Sequence, residues 1–448
     1  YFRIQGTKES VVGVINDDRK ENDAFLNFSI HFRAMRLPVP EILATHKEQN
    51  VYILQDLGDI TLFSRLSALR KEGQAFPAEI VNIYKKAIEW LPRFQIIANR
   101  KFNYSKCYPR AAFDLQSMMW DLNYFKYYFL KLAHVGFDEQ KLEDDFHGLT
   151  AFLMKADLKY FMYRDFQSRN IMLVNNQPWF IDYQGGRKGP LQYDIASLLY
   201  DAKADIPEII RTELLETYLS ETEKYIHFNR NEFLELYYGF VLIRILQALG
   251  AYGFRGFYEN KPHFLQSIPY ALKNIDTLLK ENKFPSQVPV LKDLFEKIVT
   301  NPAFQDYRKK ENNLLVTVTS FSYKKGIPED HSGNGGGFTF DCRALPNPGR
   351  LEEFKTKTGI DREVVAYLIK EQAVRDFMNH SFALVDQSIR NYIDRGFTNL
   401  SVNFGCTGGQ HRSVFFAGQL AQHLRQDLGV SVKLIHTEME KITGKKEY

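Results

Sequence analysis

The stretch YRDFQSRNIMLVNNQPWFIDYQGG, residues 163–186, sets Asn170 five positions after Asp165 and places Asp182 in apolar surroundings, WFIDYQGG. Acidic residues in loops commonly cap helices or face water, so any one of the three carries little weight alone. Together they form the set that phosphoryl transfer requires. One carboxylate must orient the attacking hydroxyl, which suits Asp165. Hard oxygen ligands must hold Mg²⁺ against nucleotide phosphates, which suits Asn170 and Asp182.

The order of elements around this island supports the reading. YFRIQ, GTKES and VVGVI spell strand, turn and strand. ENDAFLNFSIHF has helical spacing and stops at LPVPE, where two prolines end it. VYILQDLGD reads as a strand running into a Gly-containing connection. From Pro77 the pattern turns helical: Ile80, Ile83, Tyr84, Ala87, Ile88 and Leu91 form one apolar stripe. Helical runs continue to about residue 280, broken by one β-rich island around 160–183. The expected fold is α+β and bilobal, of the protein-kinase-like type, with a small β-rich lobe ahead of a helical one. The chain begins without Met in what reads as mid-strand. The N-terminal lobe is therefore expected to be truncated, with a glycine-rich phosphate-covering turn belonging before Tyr1.

FPSQVP (284–289), the helix pattern LKDLFEKIV and the charged run YRKKENN (307–313) lead out of this region. Beyond them strand and helix patterns alternate. LLVTVTSFS and FTFDCRA read as strands, 362–395 as one long helix closed by Gly396, and LSVNF as a strand. The run 411–428 reads as a helix ending at Gly429, and VSVKLIH as a last strand. That order implies a smaller α/β domain with a parallel or mixed sheet. The divisions expected are a phosphotransferase domain over 1–300, a linker over 301–312 and a second domain over 313–448.

Composition sets outer limits. With 44% hydrophobic and 25% charged residues, the 448-residue chain is of globular composition and long enough for two or three cores. Its 36 Phe and 25 Tyr are read as bulky core packing. A net charge of +4 gives no general pull toward nucleic acid or membranes. From Asn313 onward 17 Lys and Arg face 15 Asp and Glu, so RNA binding there needs a local patch. Cys107, Cys342 and Cys406 are too widely spaced for a disulfide framework or a four-cysteine zinc site, which fits a reducing, cytoplasmic setting. No apolar run reads as membrane-spanning in length, and no signal peptide is visible.

The spacing in 163–186 resembles the kinase loop H-R-D-x-x-x-x-N followed by a D-F-G-like aspartate. Residues 1–280 resemble the aminoglycoside-phosphotransferase/choline-kinase-like superfamily. Within it they are most similar to the anomeric sugar kinases that phosphorylate N-acetylmuramate and N-acetylglucosamine. The stretches that carry this are YFRI (1–4), KENDAF (20–25), LPVPEIL (37–43), QDLGD (55–59), YRDFQSRNIML (163–173) and IDYQGGRKGPLQYDIASLLYD (181–201). The resemblance implies an ATP- and Mg²⁺-dependent kinase of a small amino sugar, as in cell-wall recycling. Asp165 would be the catalytic base, and Asn170 and Asp182 the Mg²⁺ ligands. The chain around Gln55, Asp56 and Leu57 would be the inter-lobe hinge that meets adenine through its backbone, and Glu21 the N-lobe helix glutamate. Tyr163 stands where the superfamily usually has His. No lysine lies within VVGVIND (11–17), where one would pair with Glu21 and the nucleotide's phosphates, so Arg3 and Lys20 are the substitutes considered. Arg187 and Asp194 are expected to shape the helical lobe, and acceptor specificity is expected within 104–130.

In the second domain GCTGGQHRSV, residues 405–414, has from Cys406 to Ser413 the C-x-x-G-x-x-R-S spacing of a cysteine-phosphatase phosphate loop. Strand, glycine-rich turn and helix start would aim backbone N–H groups at one point, with Arg412 adding charge. Gly405, Gly408 and Gly409 would permit the positive φ angles of such a nest, and a thiol there would have a lowered pKa. A phosphatase usually also has a His before the cysteine, where Gly405 stands, and an aspartic general acid. A buried structural cysteine beside a tight turn is the plain alternative. Residues 313–443 resemble the C-terminal domain of the RapZ-type RNase adaptor proteins. The match runs through SFSYKKGIP (320–328), FDCRALPNP (340–348), TGIDREVVAYL (358–368), GCTGGQHRSV and, more loosely, HTEMEK (436–441). That resemblance implies RNA binding and sensing of glucosamine 6-phosphate. Thr407, Gly408, Gly409, His411 and Arg412 would hold the phosphate, with Asp341 and Arg343 lining the pocket. Lys325 stands where RNA-binding members tend to have His, and a kinase-like domain replaces the adaptor's P-loop ATPase domain. His331 is read as solvated. Three functions stand as expectations. They are a sugar kinase with a phosphosugar-binding regulatory domain, a non-catalytic kinase-like platform that binds RNA or a phosphosugar, and a cysteine phosphatase.

Overall fold

A computed structural model describes the chain apart from residues 7–9, 71–74, 260, 310–313, 331–335, 395–396 and 439–448. The turn in GTKES, the end of YRKKENN, His331, Gly396 and the end of HTEMEK lie outside the described residues. The chain divides into two compact units, 1–260 with 267–305, and 261–266 with 306–448.

In the first unit β1 (Phe2–Gln5) pairs antiparallel with β2 (Ser10–Ile15). β3 (Ile42–His46) and β4 (Val51–Gln55) complete an antiparallel sheet in the order β1-β2-β4-β3. The helix Arg19–Ala34 starts where Asp18 accepts the backbone N–H groups of Lys20 and Glu21, a side-chain N-cap. Its inner face buries Phe25, Phe28 and Phe32. Phe32 is sealed from solvent and meets the rings of Phe94, Phe102, Phe161 and Tyr183 at centroid distances between 5.1 and 5.9 Å. Tyr183 also stacks on Phe25 at 5.3 Å and shares a 2.6 Å hydrogen bond with Ser29. The helix that carries Glu21 is thereby bolted to the segment that carries Asp182.

The island consists of two short antiparallel pairs. β5 (Tyr160–Met162) lies beside β8 (Arg187–Gly189), and β6 (Ile171–Val174) beside β7 (Gln177–Phe180). Asn175 and Asn176 turn the second pair with φ of 51° and 57°, a tight reversal that asparagine tolerates. Behind the island the helix Ala78–Pro92 buries the stripe Ile80, Ile83, Tyr84, Ala87, Ile88 and Leu91. The helix Arg230–Gly253, continued to Tyr258, is by length and composition alone apolar enough to cross a membrane, contrary to the sequence reading. Most of it is buried within the unit. Glycine makes this close packing possible: a methyl group at Gly253 would stand 2.0 Å from the Tyr128 carbonyl oxygen.

Among the described residues the second unit has four strands, β9 (Leu315–Ser322), β10 (Gly337–Asp341), β11 (Asn399–Cys406) and β12 (Ser431–His436). All are parallel, in the order β10-β11-β9-β12. The chain leaves β9 toward one edge and β11 toward the other, so the direction of winding reverses between these two central strands. Such a switch point opens a crevice beyond the strands' carboxyl ends. The expected helix over 362–395 is two helices, Arg362–Lys370 and Gln372–Asp394, separated by extended backbone at Glu371. The apolar phase explains the break. At 100° per residue, the ten-residue step from Val364 to Val374 would put the second stripe about 80° off the first. Breaking the helix lets Val364 and Leu368, then Val374, Val385 and Ile389, all enter one core. The last helix runs Arg412–His423, widens over Leu424–Leu428 and stops at Gly429 in the left-handed conformation.

The Phe32 cluster predicts that Phe32→Ala lowers unfolding free energy by about 3–5 kcal/mol, measured by denaturant titration. A loss below about 1 kcal/mol would show that this cluster is not a core.

Candidate functional site

The island is pinned by Asp194, whose fully buried carboxylate accepts the backbone N–H groups of Tyr163 at 2.8 Å and Arg164 at 2.9 Å. Gln95 Nε2 donates to it at 2.9 Å and is itself held by the Tyr218 hydroxyl at 2.6 Å. Burial pushes the Asp194 pKa up to about 7, against the pull of its three N–H donors. The pinned backbone carries Arg164 into a positive φ of 79°. The phenol of Tyr163 donates to the Ile181 carbonyl at 2.6 Å and so braces the loop against the strand that follows it.

On this support the three residues singled out from spacing come together. Asn170 Nδ2 donates to the Asp165 carbonyl at 2.9 Å and to Asp182 Oδ2 at 3.0 Å. Gln184 Nε2 donates to Asp182 Oδ1 at 2.9 Å and to Glu21 Oε1 at 3.2 Å, and Asn16 Nδ2 reaches Glu21 Oε2 at 3.1 Å. Neither substitute for the missing lysine meets Glu21. Arg3 forks across Asp56 at 2.6 and 3.0 Å and Asp59 at 2.8 Å, while the Lys20 ammonium sits over the Tyr108 ring at 5.9 Å. Spacing missed Gln184 and Asn16, although Gln184 lies two residues past Asp182 in the quoted stretch.

Glu21, Asp165 and Asp182 thus share one site supported by neutral amides. The edge of Asp182 is open to solvent, but the protein packed around its inner side raises its pKa, and Asp165 and Glu21 raise it further. Excess negative charge with oxygen donors fits a divalent cation. Among the described residues no group of three His, Cys, Asp or Glu side chains forms a closed metal cage. Mg²⁺ needs none, because it takes one or two protein oxygens and completes its shell with phosphate and water.

Beside this cluster lies a largely apolar cleft of about 330 Å³. Leu54 to Gly58 form one wall, Met172 and Ile181 another, and Asn170, Asp182 and Gln184 one end. Gln55, Asp56 and Leu57 therefore line it, whereas Arg3, Lys20 and Glu21 do not. The Asp56 side chain is occupied by Arg3, by Ser10 at 2.7 Å and by the Gly58 N–H at 2.9 Å, with Arg3 chiefly holding its pKa down to about 2. The Leu57 backbone makes no hydrogen bond among the described residues.

In the second unit the loop after β11 lies at the switch point, where Ser322 Oγ donates to the Thr407 carbonyl at 2.8 Å. It encloses a cavity of about 190 Å³. Thr407, Gly408, His411 and Arg412 line it, together with Cys406, Gln410, Asn347, Gly349 and Lys355. The last three come from the segment after β10 and were not singled out in sequence. Asp341, Arg343 and Gly409 do not line it. Asp341 and Arg343 pair with each other at 2.7 Å, and the Arg343 guanidinium lies 4.0 Å over the Tyr323 ring. The glycines have separate reasons. Only Gly409 has a positive φ, 68°, while a Cβ at Gly405 would come within 2.4 Å of the Tyr323 ring. Arg412 is 4% exposed and donates through Nη1 to the carbonyls of Arg343 and Leu345, both at 2.8 Å, leaving Nε without a partner. His411 Nε2 bonds the Phe354 carbonyl at 2.8 Å. Cys406 Sγ lies 3.2 Å from Ser413 Oγ, and among the described lining residues there is no Asp or Glu to serve as a general acid.

A kinase-like lobe pair with a carboxylate cluster at the mouth of an apolar cleft defines the class of the first unit as a phosphotransferase. The family model described as phosphotransferase enzyme family matches residues 1–231, more than half of the chain, and the chain belongs to that family. A second model, the RapZ C-terminal domain, matches residues 314–440. A nucleotide-binding protein of Clostridium acetobutylicum is 34% identical over 183 residues, 40% of this chain and 60% of that protein. One from Thermotoga neapolitana is 38% identical over 138 residues, 31% of this chain and 47% of that protein. The chain thus spans about half the length of these curated relatives. Among solved structures, a choline kinase from Streptococcus pneumoniae matches with a TM-score of 0.41 at 12% identity, over 61% of this chain and 89% of that one. A gentamicin complex of an APH(2″)-IIa enzyme matches with a TM-score of 0.42 at 13% identity, over 60% of this chain and 87% of that one. The family assignment rests on the sequence match.

The raised folded-state pKa of Asp182 means that the fold favours its neutral form. Its contribution is fully present below the ordinary aspartate pKa of about 3.9 and is lost as pH rises through the folded value. Asp182→Asn is therefore expected to melt above the parent at pH 7, with the gap closing as pH falls toward about 4. Thermal scans with and without MgATP check the same site: the rise seen for the parent should shrink or vanish in the variant.

Proposed function

We propose that the first unit transfers the γ-phosphoryl group of ATP to a hydroxyl of a small amino sugar such as N-acetylmuramate or N-acetylglucosamine. The observation that carries this is the convergence of Asp165, Asn170 and Asp182 at the mouth of the apolar cleft. The cleft wall at Gln55–Leu57 offers adenine a backbone edge. Asp165 orients the acceptor hydroxyl and takes up its proton. Asn170 and Asp182 hold Mg²⁺, and Gln184 fixes the rotamer of Asp182 while tethering Glu21. Bound Mg²⁺ supplies the positive charge that offsets the phosphate oxygens. The sugar and its hydroxyl come from the family resemblance and are the part open to test. Phosphate transfer by the full chain is measured across an amino-sugar panel. Asp165→Asn is expected to cut kcat by about 10²–10⁴ with little change in KM. Equal inactivity of parent and variant on every sugar would overturn the kinase reading in favour of a non-catalytic platform.

For the second unit we infer that the loop cavity takes the phosphate of a phosphorylated amino sugar such as glucosamine 6-phosphate. Backbone amides at the start of the Arg412–His423 helix, with Lys355, Arg412 and the Thr407 hydroxyl in the lining, support this. The absence of Asp or Glu among the described lining residues argues against hydrolysis at Cys406. A side chain at Gly408 would meet nothing within 4 Å, so Gly408→Asp should fold while placing a negative charge at the loop. Calorimetric titration of the full chain is expected to show glucosamine 6-phosphate binding weakened by at least about tenfold in that variant. Unchanged affinity would place the ligand elsewhere, and preferential binding of an RNA oligonucleotide would favour the adaptor-like alternative.

A further inference from the structure

Arg187 is a buried cation with no ion-pair partner among the described residues. It opens β8, is 8% exposed, and makes one hydrogen bond among the described residues, from Nε to the Gly185 carbonyl at 3.0 Å. Among the described residues no carboxylate lies within ion-pair distance of it. Among the described residues its two terminal nitrogens have no hydrogen-bond partner, and neither is fully sealed from solvent. The neighbouring Arg164 is the opposite case. Both oxygens of Asp121 hold it, at 2.7 and 2.8 Å, with the Tyr193 hydroxyl at 2.7 Å and the rings of Phe113 and Tyr193 flanking the guanidinium. Arg164 has claimed the Asp121 carboxylate. Burial first, and then the Arg164 guanidinium, press the Arg187 pKa below its ordinary value.

The position of this cation matters. Gly185, whose carbonyl holds Arg187, packs against Asp165: a Cβ on Gly185 would lie 3.6 Å from Asp165 Oδ2. On its other side β8 is bonded to the 111–113 backbone, through Phe113 N to the Lys188 carbonyl at 2.7 Å and Lys188 N to the Ala111 carbonyl at 2.9 Å. Arg187 therefore stands on a strand placed between the Gly185 turn, which packs against the carboxylate that receives the acceptor's proton, and the segment expected to set acceptor specificity. A desolvated guanidinium without a partner costs stability, and an anionic ligand removes that cost. Its terminal N–H groups form a planar fork suited to bidentate contact with a carboxylate or phosphate.

We propose that Arg187 binds an anionic substituent, a carboxylate or phosphate, carried by the sugar that accepts the phosphoryl group. The inference rests on the kinase reading above and narrows its substrate class to acidic sugars. Arg187 is a specificity-determining residue in this scheme and takes no part in bond making. The competing role is a distant counter-charge to Asp165, which would act on every acceptor alike.

The test compares three acceptors with the full chain: a neutral amino sugar, its carboxylate-bearing counterpart and a sugar phosphate. Each is assayed for turnover and titrated by calorimetry. The parent is expected to favour one of the two anionic sugars, and which one identifies the anion. Arg187→Gln should lower kcat/KM for that sugar by about 100-fold, mainly through KM, while moving the neutral sugar by less than about threefold. Arg187→Lys, which keeps the charge without the fork, should retain part of the preference and serves where the Gln variant melts early. Equal losses on all acceptors, or a parent that binds neutral and anionic sugars alike, would overturn the proposal. Failure of the kinase reading looks different: no sugar is turned over by parent or Asp165→Asn, whatever the calorimetry shows.

Discussion

The backbone N–H groups of Tyr163 and Arg164 converge on one buried carboxylate, that of Asp194, and the geometry of the first unit's site follows from that convergence. A left-handed arginine costs of order 1–3 kcal/mol of backbone strain, so something must hold it there. Asp194 does so from below, and Asp121 grips the Arg164 side chain from the far side. With residue 164 held at both backbone and side chain, Asp165 has little freedom in where it projects. Asn170 then repeats the device one turn later, bonding the Asp165 carbonyl and Asp182 together. The acidic cluster is assembled by amides and backbone, and none of its members depends on an ion pair for its position.

Much of this was legible in the chain. The separation of Asp165, Asn170 and Asp182 reports the site because a tight loop followed by a two-strand turn leaves few other ways to bring them together. The apolar stripe from Ile80 to Leu91 reports a buried helix for the same kind of reason. Other features have no spacing signature. Side-chain amides such as Gln184 and Asn16 bond carboxylates across any sequence distance, so their hold on Glu21 emerges only once the helix Arg19–Ala34 is docked. Arg3 could stand in for a lysine on paper. Pairing of β1 with β2, and of β2 with β4, instead brings it to Asp56 and Asp59, which take its whole guanidinium. The Asp341–Arg343 pair was in principle readable. Residues two apart at the end of a strand share a face, and opposite charges there find each other before they find a ligand.

The loop of the second unit shows how one glycine-rich string serves several ends. Gly409 bends the chain, Gly405 lets two aromatic rings close over the strand, and Gly408 leaves room. The single arginine of the string is largely spent on two carbonyls of the segment after β10. It therefore ties that segment to the helix start, and Lys355 is the other cation of the lining. Cys406 lies in the lining, bonded to Ser413 at the base of the same turn.

The two amides that hold Glu21 carry a further consequence. A lysine in that place would neutralise the glutamate and make the seating of its helix depend on an ion pair that added salt weakens. Dipoles do neither. The seat of the helix is therefore less sensitive to added salt than an ion pair would make it. The mouth of the cleft thus gathers three carboxyl groups with no cationic side chain paired to them among the described residues.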